Sequence, residues 1–422
     1  MLRKLLDDVA QNPAEHKGKR APLEIEVNAQ DLHEATHAII ERAHVRFVTC
    51  FATPEPRGGF DVRYVYAHKT SGFLLVTRTP LGATQKLPAV TSILPAANWL
   101  EREMSELLGV PLEGHPDPRP VLQHRGWPLG AHPLQPEWRP TPTTKRLEED
   151  PDYGFLQVEG DGVCEVPVGP IHAGIIEPGH FRFSIAGEPV LNLEIRLGYQ
   201  HKGIEKLYQG RTAQMGLFLA ERTSGDNSAA HAAAYCMAIE SLSDARLSPS
   251  AEDARVLYLE LERITHHLGD IGGVLLDVAY NFGASQLAIL REEMFRLNSR
   301  LTGSRLLFGA NAVGGVRHEP TTDEQQDIRK TLAKVTHDFD KALKVSLTSA
   351  SVVDRLDQAG TLTLENAKLL SVVGPAARAS GLDVDARRDT PHLAYVRRKV
   401  NVQLETRGDV MSRVRVKANE LR

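Results

Sequence analysis

The cysteines are considered first, because protein thiolates hold zinc, iron–sulfur clusters and nickel–iron centres. The chain has three of them, Cys50, Cys164 and Cys236, and they lie far apart in the sequence. Such sites usually draw thiolates from a C-x-x-C pair, and the sequence contains no such pair. We therefore expect neither a disulfide framework nor a self-contained zinc or iron–sulfur site.

A second set of reactive groups lies in the segment 257–280, LYLELERITHHLGDIGGVLLDVAY, which is typical of a helix. The ionisable residues that stand out there are Glu260, Glu262, His266, His267, Asp270 and Asp277. If these groups are buried, they can relay protons. If they lie on a solvated helix face or at a subunit interface, they serve only as polar contacts, and we favour this second interpretation.

A third group of charges lies in the segment 377–395, ARASGLDVDARRDTPHLAY. Its members are Asp383, Asp385, Arg387, Arg388 and Asp389. Carboxylates and guanidinium groups so close in sequence favour ion pairs that fix a loop. We interpret this cluster as structural first and functional second.

Composition limits the classes of partner. The chain has 422 residues, of which 41% are hydrophobic and 25% charged, and its formal net charge is −4. A nucleic-acid partner is not expected, since no dense block of Lys and Arg is present. No apolar run approaches the roughly 20 residues that span a bilayer, and the first 20 residues are too polar for a secretory signal. We expect a cytoplasmic protein that reaches a membrane only through partner subunits.

The elements that position these groups begin with a small α+β domain, assigned to residues 1–132. β-branched and aromatic runs at 44–50, 60–67 and 72–78 predict an antiparallel sheet. Asn98 followed by Glu101 predicts the start of a helix that ends at Gly109. We expect that helix to cover one face of the sheet.

A Pro-rich, charged stretch at 133–154 predicts a linker, and residues 155–422 form the second domain. A β-rich entry segment at 155–197 gives way to long helical patterns. Within them, Thr321 and Glu324 form a capping box before an amphipathic stripe. Its apolar members are Ile328, Leu332, Val335, Phe339 and Leu343. The predicted fold class is α+β, with a mainly helical second domain.

Two stretches, NWLEREMSELLGVPLEGHPDPR (98–119) and WPLGAHPL (127–134), resemble the 30-kDa subunit of respiratory complex I. Five later stretches, in the same order, resemble the 49-kDa subunit of complex I and the large subunit of group 4 nickel–iron hydrogenases. They are GPIHAGIIEPGHFRF (169–183), GYQHKGIEK (198–206), ERTSGDNSAAH (221–231), ARASGLDVDARRDTPHLAY (377–395) and RGDV (407–410). The motif EPGHFRF is most similar to hydrogenase-4-like large subunits, in which the two modules are also fused.

The resemblance also predicts which metal ligands are absent. Relatives that are active hydrogenases have their first C-x-x-C pair within the stretch 221–231, where this sequence has Ser224 and Asn227. Their second pair lies near the C-terminus, beyond the point that matches Arg422, so we expect a missing C-terminal portion. A hydroxyl and an amide do not replace thiolates, so no working nickel–iron site is expected. Asn227 or Ser228 is expected to cap the following helix.

The resemblance to complex I also implies a quinone cavity, in which His172 and Arg222 would take part. An ungapped alignment places Ile176 at the position of one quinone-binding residue, a histidine. It places Leu219 at the position of the other, a tyrosine. Aliphatic side chains cannot hydrogen-bond to quinone carbonyls. Quinone binding remains possible only through other residues.

Glu177 matches the glutamate that starts proton transfer away from the metal in hydrogenases. It is our candidate for proton transfer, and an ion pair with Arg182 or Arg222 that fixes a loop is an equally weighted alternative. His172, His201 and His231 are interpreted as structural histidines. The resemblance further implies that Asp385 and Arg387 point inward.

These expectations lead to one function and two alternatives. The first is a large subunit of a membrane-associated complex, which would couple redox or proton transfer near a partner's iron–sulfur cluster to an ion-translocating membrane arm. Its partners would be a small iron–sulfur subunit and membrane-embedded subunits, and the chain itself would bind no cofactor. The alternatives are a quinone-reducing subunit of an NADH dehydrogenase and a catalytically silent scaffold.

Overall fold

The computed structural model describes residues 22–68, 72–123, 127–128, 130–139, 154–172, 177–243 and 245–422. The chain divides into two compact units, residues 1–206 and 207–422. Each unit has a hydrophobic core of its own. This division lies after the sheet at 163–196, whereas the sequence placed a linker at 133–154. The linker largely falls on residues outside the described ranges, so that boundary remains a prediction.

A four-stranded sheet organises the first unit, in the order β1-β4-β3-β2. Its strands are β1 Leu23–Glu26, β2 Val45–Pro54, β3 Phe60–His68 and β4 Leu74–Leu81. The pairs β2–β3 and β3–β4 are antiparallel, which confirms the three predicted strands, and β1 adds a parallel edge. The helices α1 (Leu32–Arg42) and α2 (Asn98–Glu103) contribute residues to the same core.

The 98–119 motif forms a buried network, which explains its polar residues. Glu101 is fully buried and accepts hydrogen bonds from the Tyr64 hydroxyl at 2.7 Å, the Val90 amide at 2.8 Å and Thr91 Oγ1 at 2.6 Å. The predicted helix start at Asn98 is confirmed, but Asn98 and Glu101 do not cap it with their side chains. The carboxylate of Glu101 is engaged by contacts that are remote in sequence, and α2 has no side-chain cap.

The end of this helical segment follows the prediction. After α2 the backbone continues as a short π-helical turn, Met104–Leu108, and Gly109 ends it with φ at 83°. Glycine adopts this left-handed conformation without the steric cost that a Cβ atom brings. Two two-residue strands flank the segment, β5 (Leu87–Pro88) and β6 (Leu112–Glu113).

An antiparallel meander completes the first unit. Its strands are β7 Val163–Val168, β8 His180–Ala186 and β9 Val190–Arg196. Arg119 joins this sheet to the 98–119 motif through Glu194, with the two charged groups 3.1 Å apart. The ion pair is one of the contacts that join the β-rich segment to the rest of the first compact unit.

Helices dominate the second unit and confirm the α+β class. The longer ones are α5 Ser228–Leu242, α6 Pro249–Asp277, α7 Asn281–Thr302, α8 Thr322–Thr348 and α13 Val410–Leu421. The shorter ones are α3 Ile204–Tyr208, at the boundary of the units, α4 Ala213–Ala220, α9 Ala350–Leu356, α10 Leu364–Leu369, α11 Gly374–Ala379 and α12 Ala386–Asp389. A small hairpin, β10 (Asn311–Ala312) and β11 (Gly315–Val316), lies between α7 and α8.

The α8 prediction is confirmed in detail. Thr321 and Glu324 form the reciprocal capping box. The apolar stripe enters the main core of the unit, where Val335 and Phe339 are at most 1% exposed and Leu332 packs at the margin. Spacing of three and four residues on a helix places these side chains on one face, which is why the sequence alone sufficed here.

No helix within the described ranges combines the length and apolar character needed to cross a bilayer.

Candidate functional site

The segment that joins α4 to α5 contains the positions at which relatives are expected to hold metal. Glu221 opens it, and its buried carboxylate accepts a hydrogen bond from the Gly309 amide at 2.6 Å. Burial raises the pKa of Glu221. The guanidinium of Arg222 lies over the ring of Phe218, 3.3 Å from its centroid, and faces Phe308 at 5.0 Å. The turn is therefore held on both sides by the second unit's own residues.

Ser224 and Asn227 bond within this turn. The Ser224 hydroxyl donates to Asp226 at 2.9 Å and accepts from the Asn227 amide at 2.9 Å. The structure brings these two predicted residues together, but as neutral groups of a local hydrogen-bonded turn. The hydroxyl of Ser228 leaves the turn and donates to the carbonyl of Leu306.

The prediction that Asn227 or Ser228 caps α5 is wrong. Neither Asn227 nor Ser228 caps the helix with its side chain, because both are engaged elsewhere. Instead, Glu262 reaches across from α6 and accepts from the amides of Ala229 at 2.7 Å and Ala230 at 3.1 Å. A carboxylate is favoured there because free amides and the helix dipole make a helix N-terminus positive.

The sequence indicates Glu262 only as one of a polar series and does not predict its position beside this turn. Burial, together with the nearby charge of Asp226, raises the pKa of Glu262 to about 7, although the two amide hydrogen bonds lower it. One turn along α6, His266 Nε2 lies 2.9 Å from the carbonyl oxygen of Asp226. A carboxyl group that titrates near neutrality thus contacts the first turn of α5, and an imidazole contacts the turn that precedes this helix. Their spacing of four residues was the available signal, since it places both on one face of a helix.

A second cluster joins α6 to the C-terminal part of the unit. His267 Nε2 lies 3.0 Å from a carboxylate oxygen of Glu420, and Arg378 donates to the other oxygen at 2.6 Å. All three side chains are at most 5% exposed. Burial lowers the pKa of His267, so the imidazole is neutral at neutral pH. Burial alone would raise the pKa of Glu420, but His267 and Arg378 hold it below its usual range.

The cluster continues through the two residues that the resemblance predicted to point inward. Asp385 is 5% exposed and receives two hydrogen bonds from Arg387, at 3.0 and 2.8 Å. Burial opposes ionisation of Asp385, but the contacts with Arg387 and the charge of Arg378 hold its pKa below the usual range. Arg387 also reaches Glu260 at 3.4 Å, and Tyr395 donates to the same carboxylate.

A cavity of about 440 Å³ opens beside this cluster. It is lined by polar and charged residues, among them Glu260, Arg387, Tyr395, Asn419 and Glu420. The polar series of α6 therefore divides: Glu262 and His267 are buried, Glu260 and His266 are half-buried, and Asp270 and Asp277 are exposed. The interpretation of the series as one solvated face is wrong for the two buried residues, which face helix ends and the loop cluster.

The predicted residues of the first unit lie in and around the meander. Glu177 is exposed, and His172 Nε2 lies 2.6 Å from the carbonyl oxygen of Gly179. Arg182 on β8 pairs diagonally with Glu165 on the neighbouring strand β7, and its guanidinium lies over the ring of Phe155. Ile176 lies outside the described residues.

Three predicted residues remain, namely His201, Leu219 and His231. His201 is exposed and lies near Glu205, with an Nε2 to Oε2 distance of 3.8 Å. Leu219 and His231 are half-buried, on α4 and α5. These positions leave the roles of Glu177, Leu219 and the histidines as predictions.

Both units contain a region that matches a known protein family. Residues 25–144 match the model of the 30 Kd subunit of respiratory-chain NADH dehydrogenase, and residues 277–422 match that of its 49 Kd subunit. Carbon monoxide-induced hydrogenase of Rhodospirillum rubrum is 31% identical over 256 residues, which are 60% of this chain and 71% of that protein. The chain belongs to the family of complex I and hydrogenase large subunits, with the 30-kDa and 49-kDa domains fused.

Two further relatives of this family match over most of the chain. Formate hydrogenlyase subunit 5 of Escherichia coli (strain K12) is 32% identical over 373 residues, 86% of this chain. The C/D protein of the NADH-quinone oxidoreductase of Phocaeicola vulgatus is 27% identical over 421 residues, 94% of this chain and 80% of the relative. The chain spans 65% of the length of formate hydrogenlyase subunit 5 and 58% of that of hydrogenase-4 component G.

Proposed function

We propose that this chain is the large subunit of a membrane-associated, complex I-like oxidoreductase complex that has lost the nickel–iron site and retains proton transfer. One observation carries the proposal. The turn at 221–228 has Ser224 and Asn227 where hydrogenase relatives are expected to have thiolates, yet a carboxyl group with a pKa of about 7, Glu262, contacts the helix that follows it.

Donor chemistry argues against a nickel–iron centre at this turn. Nickel and iron in such sites require several soft, anionic sulfur ligands. Cys236 is buried in the small core around Leu217 and Ala232, and burial raises the pKa of its thiol to about 11. A thiol that remains protonated at neutral pH is a poor metal ligand. The residues of this part of the chain therefore do not fit the metal centre.

We expect the purified chain to contain no stoichiometric nickel. The protein is prepared without a nickel-affinity column and dialysed against EDTA, which strips weakly held ions but leaves a thiolate-bound centre. Elemental analysis then measures nickel and iron per chain. A ratio close to one nickel per chain would refute the loss of the metal site.

The proposed proton transfer has a candidate group in each unit. Glu262 exchanges its proton near neutral pH, as a group that both accepts and releases protons must. Glu177 is exposed and belongs to the segment that resembles the proton-conducting segment of hydrogenases. Both are proposed to take part in moving protons toward a membrane arm formed by partner subunits.

Replacing Glu177 with Gln keeps the shape of the side chain and removes its titrating proton. In a complex purified from native membranes through a tag on this chain, we expect assembly to be unchanged and proton translocation to fall about 100-fold or more, the size of effect typical of general acid–base groups. Translocation is measured as acidification of reconstituted vesicles.

Glu188→Gln is the matched control, because Glu188 is an exposed glutamate in the turn between β8 and β9 of the same meander. It should leave translocation unaltered. Normal pumping by the Glu177→Gln complex would exclude the proton-transfer role of this residue. Failure to assemble would instead assign Glu177 to an ion pair, and the scaffold alternative would then gain support.

The meander offers a surface for a partner protein. Two rows of paired residues cross the sheet, namely Val166, Phe183 and Leu193, and Val168, Phe181 and Ile195. Val166, Leu193 and Ile195 are 38–45% exposed, which is unusual for adjacent apolar residues of one sheet face. The small iron–sulfur subunit is proposed to bind this face. The proteins that copurify with the tagged chain test this directly.

A further inference from the structure

Three metal-ligating side chains of the first unit converge at the end of α2. They are Glu103, the last residue of that helix, and His201 and Glu205, which lie four residues apart around the start of α3. One ligand atom from each residue lies within 4.8 Å of the other two. Glu103 is half-buried, and the other two are exposed.

The backbone on both sides of this cluster is anchored, so the proximity does not depend on flexible side chains alone. Glu106, just after α2, accepts hydrogen bonds from the amides of Val121 at 2.8 Å and Leu122 at 2.9 Å. The next residue, Gln123, receives a hydrogen bond from Arg196 at 3.0 Å through its carbonyl oxygen. The strip 121–123 thus ties the helical segment to the end of β9.

A second tie lies on the far side of the cluster. Lys206 donates to the carbonyl of Gln135 at 2.7 Å, and the side chain of Gln135 donates to the carbonyl of Leu108 at 3.0 Å. The segment 198–206 is therefore fixed at both ends against the segment that carries Glu103. The three ligands are presented by two anchored pieces of chain.

The electrostatics of the cluster are unfavourable without a cation. The half-buried carboxylate of Glu103 lies near two further carboxylates, those of Glu205 and Glu106. A half-buried carboxylate facing like charges is costly to ionise. A bound dication would remove this repulsion and keep both carboxylates charged.

We propose that Glu103, His201 and Glu205 bind one divalent transition-metal cation of the Zn²⁺ type. One imidazole nitrogen and two carboxylate oxygens form a mixed donor set that suits such an ion, and water completes the coordination. Tetrahedral bonds of about 2.0–2.1 Å place ligand atoms roughly 3.3–3.4 Å apart, so ligand atoms that are now as far as 4.8 Å from each other must approach by up to about 1.5 Å. His201 and Glu205 lie outside the core and can make this movement.

The cation would join the segment that follows the meander to the end of α2. Because the ligands come from distant parts of the sequence, the unfolded chain lacks the assembled site, and binding stabilises the folded unit. This role is separate from proton transfer in the second unit. A failed test here leaves the proposed function as it stands.

The test is a Zn²⁺ titration of the full chain after dialysis against EDTA, followed by isothermal titration calorimetry. Three proteins are compared with the wild type: Glu103→Gln, His201→Gln and the control His37→Gln. His37 is an exposed histidine of α1 that also has a glutamate four residues on, Glu41, at 3.3 Å. It thus reproduces the His–Glu pair without the third ligand.

We expect one Zn²⁺ per wild-type chain in the tightest class of sites. Glu103→Gln and His201→Gln should each weaken it at least about tenfold, and His37→Gln should leave it unchanged. Saturating Zn²⁺ should also raise the melting temperature of the wild type and of His37→Gln, but not that of Glu103→Gln. Equal Zn²⁺ affinity of the wild type and Glu103→Gln, or equal losses in His37→Gln and His201→Gln, would overturn the proposal.

Discussion

Replacing Arg378 with Met is expected to lower the free energy of unfolding of the helical unit by about 3–5 kcal/mol, the usual loss when one partner of a buried ion pair is removed. Arg378 is 3% exposed and lies between the carboxylates of Glu420 and Asp385, at 2.6 and 3.4 Å. Met fills most of the space of the Arg378 side chain, but it leaves the carboxylates of Glu420 and Asp385 without the guanidinium group. Urea unfolding, followed by the helical circular dichroism signal, measures the change.

Arg296→Met is the matched control, because its guanidinium is 72% exposed and pairs with Glu292 one helical turn away. An exposed pair of this kind contributes about 0.3–0.5 kcal/mol. The loss of stability in Arg378→Lys should lie between those of Arg378→Met and Arg296→Met, because Lys keeps the positive charge but cannot form the bidentate hydrogen bonds of Arg. A loss below about 1 kcal/mol for Arg378→Met would show that the network holds little of the unit's stability.

The second large effect concerns pH. Glu262 has its pKa raised to about 7 in the folded chain, above the ordinary value of 4.5 for a glutamate. The folded state therefore binds more protons than the unfolded state between these pH values, and stability must fall as pH rises through this window. The stabilisation is fully present below about pH 4.5 and is lost above about pH 7. A shift of this size corresponds to up to about 3 kcal/mol.

Glu262→Gln removes the titration and can still accept a hydrogen bond from the N-terminus of α5. We expect the gain of the variant over the wild type to grow between about pH 4.5 and about pH 7, to reach up to about 3 kcal/mol, and to level off at higher pH. Chemical denaturation at a series of pH values measures it. Other acids cancel in this comparison, because both proteins retain them.

The variant Asp226→Asn tests whether the surroundings of Glu262 cause this pH dependence. Asp226 is a neighbouring charge that raises the pKa of Glu262, so its removal should move the pH at which the gain levels off to a lower value without abolishing the dependence. A Glu262→Gln curve that runs parallel to the wild type would mean that this carboxyl group does not titrate near neutrality. The proton-transfer role proposed for it would then lose its physical basis.

Some parts of the structure followed from local sequence patterns. The strands of the first unit and the capped helix α8 were predictable because alternation and spacing of three or four residues decide which face is buried. The inward position of Asp385 followed from the resemblance. Opposite charges two residues apart, as in Asp385 and Arg387, can bond within one short turn.

By itself, the sequence also determined the family, since its motifs occur in the expected order, and the absence of a C-x-x-C pair at the 221–231 turn. Only the tertiary structure decided which polar groups are buried and which partners they meet. Glu101 and Glu262 accept hydrogen bonds from amides 10 to 33 residues away. A carboxylate that reaches a helix end or a loop amide across the core leaves no periodic signal, because its partner is a backbone group that nearly every residue carries.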